Sequence, residues 1–84
     1  MAMTKEEIKE KVFDIVADQF PNFGREKMKE STSFVDDLGA DSLDTAEMAM
    51  EFEDEFDINI PESEQDKTKT IGDAIESIAA KVSA

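Results

Sequence analysis

Residues 38–56 read "LGADSLDTAEMAMEFEDEF", and the periodicity of this stretch decides what kind of fold the chain adopts. On a helical wheel at about 100° per residue with Leu43 as origin, Met48, Ala49, Phe52 and Phe56 fall between about 140° and 240°. One face is therefore apolar. The spacing predicts a helix from about Ser42 to Phe56, with Gly39 breaking the pattern before it. Asp44, Glu47, Glu51, Asp54 and Glu55 fall between about 20° and 120°, forming an acidic stripe. Leu43 and Met50 border that stripe near about 0° and 340°, away from the apolar face. Two readings fit such a pair. It packs beneath a neighbouring loop, or it stays exposed as a docking surface in which apolar area supplies contact and carboxylates supply steering.

Working outward toward the N-terminus, Thr4 followed by Glu7 has the form of a capping box, and Ile8, Val12, Ile15, Val16 and Phe20 recur at helical spacing until Pro21. A first helix is expected over about 4–20. A polar loop with Asn22 and Gly24 follows, and "SFVDDL" supplies Phe34, Val35 and Leu38 as apolar anchors. Toward the C-terminus, "FDINIP" alternates like a strand but has no second strand to pair with, so it reads as an extended connector with Ile58 and Ile60 in the core. Pro61 can start a short helix through about Gln65. The segment "ESEQDKTK" has no apolar face, and a mobile piece is expected there. Ile71, Ile75, Ile78, Ala79 and Val82 trace one face of a last helix, with Thr70 as its N-cap. The fold expected is all-α, a small four-helix bundle of three longer helices and one short third helix, as one domain over residues 1–84.

Composition restricts the chemistry. At 84 residues the core is thin, and a deep pre-formed substrate pocket is not expected. There is no cysteine for redox or thioester chemistry and no histidine for acid-base work or metal binding. Net charge is −13, and 14 of the 22 acidic residues lie between Lys29 and Lys67, an interval with no Lys or Arg. Such a surface repels nucleic acid and anionic membrane and steers toward proteins with basic patches. The opening "MAMTKEEIKEKV" contains no apolar signal core, Arg-rich presequence or spanning segment. Cytoplasm or an equivalent organelle matrix is the expected location, without stable membrane insertion.

Ser42 sits between Asp41 and Asp44, where plain helix capping explains all three residue types. A nucleophilic serine is excluded by the missing histidine and the missing G-x-S-x-G elbow. No window has the ligand spacing of a calcium loop, and a carboxylate pair for glycoside hydrolysis lacks a cleft to desolvate it. No catalytic residue and no metal site is expected.

The stretch "DLGADSLDTAEMAMEFEDEFDINIP", residues 37–61, resembles the signature of acyl carrier proteins of the discrete fatty-acid-synthesis type. The similarity runs from "SFVDDL" to the last helix, and the first helix agrees in length and pattern. The resemblance implies that Ser42 carries 4′-phosphopantetheine, transferred from coenzyme A by a Mg²⁺-dependent carrier-protein synthase, a phosphopantetheinyl transferase. The missing thiol would then arrive on the arm, with acyl groups held on it as thioesters. By the same resemblance Asp41, Leu43, Asp44, Glu47, Met50, Glu53 and Asp54 form the surface read by transferase, fatty acid synthesis and acyltransferase enzymes with basic docking patches. A monomer without catalytic activity is implied. Phe52 and Ile60 are expected to wall an acyl cavity, with Thr68 tuning it.

Three positions depart from the family pattern. Glu51 stands where a small apolar residue is expected, and Gln65 and Thr68 stand where small or aliphatic residues line the acyl cavity. The loop "PNFGREKMKEST" also differs. Two other functions fit the same residues: a carrier for a polyketide, aminoacyl or specialised lipid cargo, and an unmodified acidic adaptor.

Overall fold

Thr4 and Glu7 close the expected box: the Glu7 N–H donates to Thr4 Oγ1 at 3.2 Å, and the Thr4 N–H donates to Glu7 Oε1 at 2.9 Å. The computed structural model describes residues 3–82. From this cap α1 runs over Lys5–Gln19 and buries Ile8, Val12, Phe13 and Val16. The Phe20 N–H donates to Val16 O at 2.9 Å before Pro21 ends the helix. Past Gly24, whose φ of 91° suits glycine, a 3₁₀ turn spans Arg25–Lys27. Its Arg25 reaches back to α1, donating to Glu10 Oε1 at 2.8 Å and Asp14 Oδ1 at 2.9 Å. The loop is thus tied to α1 by Arg25, and again farther on by Glu30, whose carboxylate lies 3.3 Å from Lys9 Nζ.

The next segment docks as a short strand-like piece. Ser33 and Thr70 form an isolated antiparallel bridge, flanked by Phe34 N–H to Lys69 O at 3.0 Å and Ile71 N–H to Thr32 O at 3.0 Å. A tight turn follows, in which Ser33 N–H donates to Asp37 Oδ2 and Asp36 N–H to Ser33 Oγ. The turn drives Phe34 inward to 5% exposure and leaves Val35 at 62%. Val35 is therefore no core anchor. Adjacent residues in so tight a turn cannot both face inward, whereas Leu38 does pack at the edge of the core.

The second helix, α2, spans Ser42–Phe56 and buries Met48, Ala49, Phe52 and Phe56, the face that periodicity assigns to the core. Asp57 ends it in the left-handed conformation at φ 53°. Ile60 is buried and Ile58 half-buried, as expected for an extended connector. A six-residue α3 covers Glu62–Lys67 after Pro61 and buries none of its residues. It is nonetheless attached, which its sequence did not suggest. Glu64 takes a hydrogen bond from Lys81 Nζ at 2.8 Å, and Gln65 Nε2 donates to Ile60 O at 3.1 Å. The last helix, α4, spans Ile71–Val82. Thr70 Oγ1 caps it by accepting from the Asp73 N–H at 3.1 Å.

Helix α1 packs against both α4 and α2, and α2 packs against α3. At the centre, Ile8, Val12, Val16, Ile71, Ile75 and Ile78 are essentially inaccessible to water. Each such side chain contributes about 1.5–3 kcal/mol on removal from water. The described residues form an all-helical fold of four α-helices with no strand beyond the single bridge.

Candidate functional site

Asp41 caps α2, and Ser42 does not. The Asp44 N–H donates to Asp41 Oδ1 at 2.9 Å and the Asp41 N–H to Asp44 Oδ2 at 3.2 Å, a reciprocal box built from two aspartates. Ser42 is the first helical residue, exposed, and its hydroxyl has no hydrogen-bond partner among the described residues. The N–H groups of Ser42 and Leu43 are likewise free, as the first turn of a helix requires. An oxyanion attached at Ser42 Oγ would lie beside these donors and the positive end of the helix dipole.

Around Ser42 the surface has two characters. Leu43 is 67% and Met50 63% exposed, which removes the reading in which they pack beneath a loop. Val35 joins them as the third large apolar side chain left in water. Glu47 and Asp54 are exposed, and Asp44 is half-buried with Gln19 Nε2 at 3.4 Å from its Oδ1. None of Asp41, Asp44, Glu47, Glu51 or Asp54 makes an ion pair among the described residues. Glu55 is set apart from the stripe, since Lys11 Nζ lies 3.1 Å from its carboxylate. Glu53 also differs: it is half-buried and accepts the Ile60 N–H at 2.8 Å, so it fixes the connector after α2.

A groove leads from Ser42 across Val35, Thr45, Ala46 and Met50 to Gln65 and Thr68 of the α3 segment. Behind it, Phe52, Ile60 and Thr68 line one cavity together with Met48, Ala49, Ala74 and Ile78. The cavity has a volume of about 30 Å³, enough for a water or two. A longer guest needs more room than this. Thr45 and Ser77 also line this cavity, and sequence reasoning missed both. The signal for Ser77 was its place on the Ala74, Ser77, Lys81 side of α4, adjoining the buried face. Val35 was missed because its apolar type outweighed the Asp-rich turn around it.

Comparison with known proteins bears on the same region. The family model described as "Phosphopantetheine attachment site" matches residues 10–78. The acyl carrier protein of Chlorobium phaeobacteroides is 46% identical over 79 residues, 94% of this chain and 100% of that one. This chain belongs to the acyl carrier protein family. The relative from Chloroherpeton thalassium is also 46% identical, over 94% of this chain and 98% of its own length. A solved structure of the acyl carrier protein from Enterococcus faecalis superposes with a TM-score of 0.81 at 33% identity, covering 94% of this chain and 99% of that one.

The group that such a domain carries is 4′-phosphopantetheine. The residues fit it: a free exposed hydroxyl at a helix start, unpaired N–H donors beside it, and an adjoining groove. No helix among the described residues is long and apolar enough to cross a membrane.

Proposed function

We propose that this chain carries acyl intermediates of fatty acid synthesis as thioesters on a 4′-phosphopantetheine arm joined to Ser42 Oγ. The observation that carries the reading is the free Ser42 hydroxyl at the first turn of α2, on a groove leading into the apolar cavity. When bound, the arm supplies the thiol that this cysteine-free chain lacks. The protein's own residues do three things. Asp41 and Asp44 hold the helix start, Ser42 offers the acceptor oxygen, and the cavity walls shelter the proximal cargo from water.

The partners of this reading are a Mg²⁺-dependent carrier-protein synthase, which transfers the arm from coenzyme A, and synthesis and acyltransferase enzymes with basic patches. Leu43 and Met50 would supply contact area, with Val35 beside them, while Asp41, Asp44, Glu47 and Asp54 steer. Glu53 would act from beneath by holding the connector. Phe52, Ile60 and Thr68 would bound the acyl site. The chain is read as a monomeric, non-catalytic carrier, one domain over residues 1–84, working in the cytoplasm or an organelle matrix.

Intact mass tests the reading. Incubation with coenzyme A, Mg²⁺ and a carrier-protein synthase should add the phosphopantetheine mass to wild type and leave Ser42→Ala unchanged. Addition to the Ala variant would defeat the assignment.

A further inference from the structure

Phe34, Thr45, Gln65 and Thr68 line both the groove that starts at Ser42 and the cavity behind it. They are the opening between the two, and three of the four are polar.

The hydrogen-bonding state of these three is uneven. Thr45 Oγ1 donates its proton to Asp41 O at 3.0 Å, and Thr68 Oγ1 donates to Glu64 O at 2.8 Å. Each hydroxyl has spent its only donor on its own helix and keeps lone pairs that can accept. Gln65 Nε2 donates to Ile60 O at 3.1 Å, a bond that fixes which end of the amide is nitrogen. Its Oε1 has no partner among the described residues. The opening therefore holds three acceptors in surplus and one spare amide N–H. Farther in, the walls are Met48, Ala49, Phe52, Ile60, Ala74 and Ile78, and the lining is apolar except for Ser77, whose hydroxyl donates to Glu64 Oε1 at 3.5 Å.

We propose that this opening selects acyl chains bearing a hydroxyl close to the thioester over saturated chains of equal length, with Thr45, Gln65 and Thr68 as the accepting groups. The inference rests on the carrier reading above and specifies its cargo. A saturated chain would strip water from three acceptors and return nothing. A β-oxo group, itself an acceptor, could use only the Gln65 amide. A β-hydroxyl donates, and the tail beyond it meets the apolar depth.

The test uses the intact protein, loaded at Ser42 by carrier-protein synthase from octanoyl-, β-oxooctanoyl- or β-hydroxyoctanoyl-coenzyme A, with the holo form as reference. In thermal melts the β-hydroxyoctanoyl form should unfold about 4 °C above the octanoyl form, the shift expected from one added hydrogen bond in a domain of this size. The β-oxo form, which can take only the Gln65 N–H, should melt below the β-hydroxyoctanoyl form. In a Gln65→Met/Thr68→Val variant, which leaves Thr45 alone to accept, the margin of the hydroxylated over the octanoyl form should shrink. Equal melting of the hydroxylated and saturated forms of wild type would overturn the inference, and that comparison needs no variant to fold. A stabilised holo form that no acyl group improves would overturn it too, because the arm's own amides would then occupy the opening. Failure of Ser42 to accept any arm would instead refute the carrier reading.

Discussion

Replacing Gly72 by alanine should destabilise the protein, although helix propensity alone says the opposite. Gly72 lies in the first turn of α4, where alanine gains at most about 0.8–1 kcal/mol over glycine. A Cβ there would stand 2.9 Å from the backbone oxygen of Glu30 and 3.2 Å from Glu30 Cβ. A backbone carbonyl cannot swing aside as a side chain can. This one also accepts the Gly72 N–H at 2.8 Å, and Thr32 O accepts the Ile71 N–H at 3.0 Å alongside it. Overpacking against such a wall costs about 1–3 kcal/mol. Taking about 2 kcal/mol for the clash less about 1 for propensity leaves a loss near 1 kcal/mol, or about 4–8 °C in Tm. The displaced segment leads into Phe34, which lines the cavity opening, so the same variant should show weaker acyl-dependent stabilisation. Urea and thermal melts of Gly72→Ala and wild type measure both effects. An unchanged or higher Tm would refute the reasoning that this close approach limits the position to glycine.

Other expectations follow from the charge and the caps. Glu47→Lys should slow association with a basic partner by a factor on the order of 3–10 at low salt, with the rates converging at high salt, while Met50→Ala should mainly speed dissociation; stopped-flow kinetics separates the two. Because Asp44, Glu47, Glu51 and Asp54 on α2 make no ion pair among the described residues, NaCl or MgCl₂ should raise the apo Tm by screening, and a flat response to both would contradict this. The Thr4 N–H and hydroxyl hold the Glu7 carboxyl below the usual carboxylate range. The stability it lends is complete above its unfolded pKa and lost as pH falls through the lower folded value. Glu7→Gln, which can still accept from Thr4, should therefore lose less stability on acidification than wild type, as urea melts at neutral and acidic pH would report.

What the sequence disclosed, and what it withheld, divides by the range of the interaction. Both ends of α2 were legible because Asp41, Asp44 and the apolar spacing act within a few residues of one another, and the Thr4–Glu7 box fixed α1 for the same reason. Leu43 and Met50 were open to two readings, since a wheel shows which side a residue faces but not whether a loop covers that side. Only the folded chain settles that. The attachment of α3 was hidden altogether: Glu64 meets Lys81 from 17 residues away, across an angle between two helices that no local pattern encodes. Glu53 looked like one more member of an acidic surface until the connector returned Ile60 to it. The polar lining of the cavity was partly visible in Gln65 and Thr68, whereas Thr45 and Ser77 entered it only through helix packing.

Adjacent residues share the start of α2 in a way that bears on how the protein is handled as well as how it works. Asp41 carries the cap, and the unmodified Ser42 hydroxyl makes no bond among the described residues, so removing that hydroxyl costs the helix start no hydrogen bond. Loading at that oxygen breaks no bond that holds the helix start, and the added phosphate can only strengthen it by facing the free N–H groups. A blank variant at Ser42 is then a clean control, since any activity it loses cannot be ascribed to a frayed helix. The reverse holds one residue earlier: Asp41→Ala would confound chemistry with local unfolding, and its phenotype alone would say nothing about recognition.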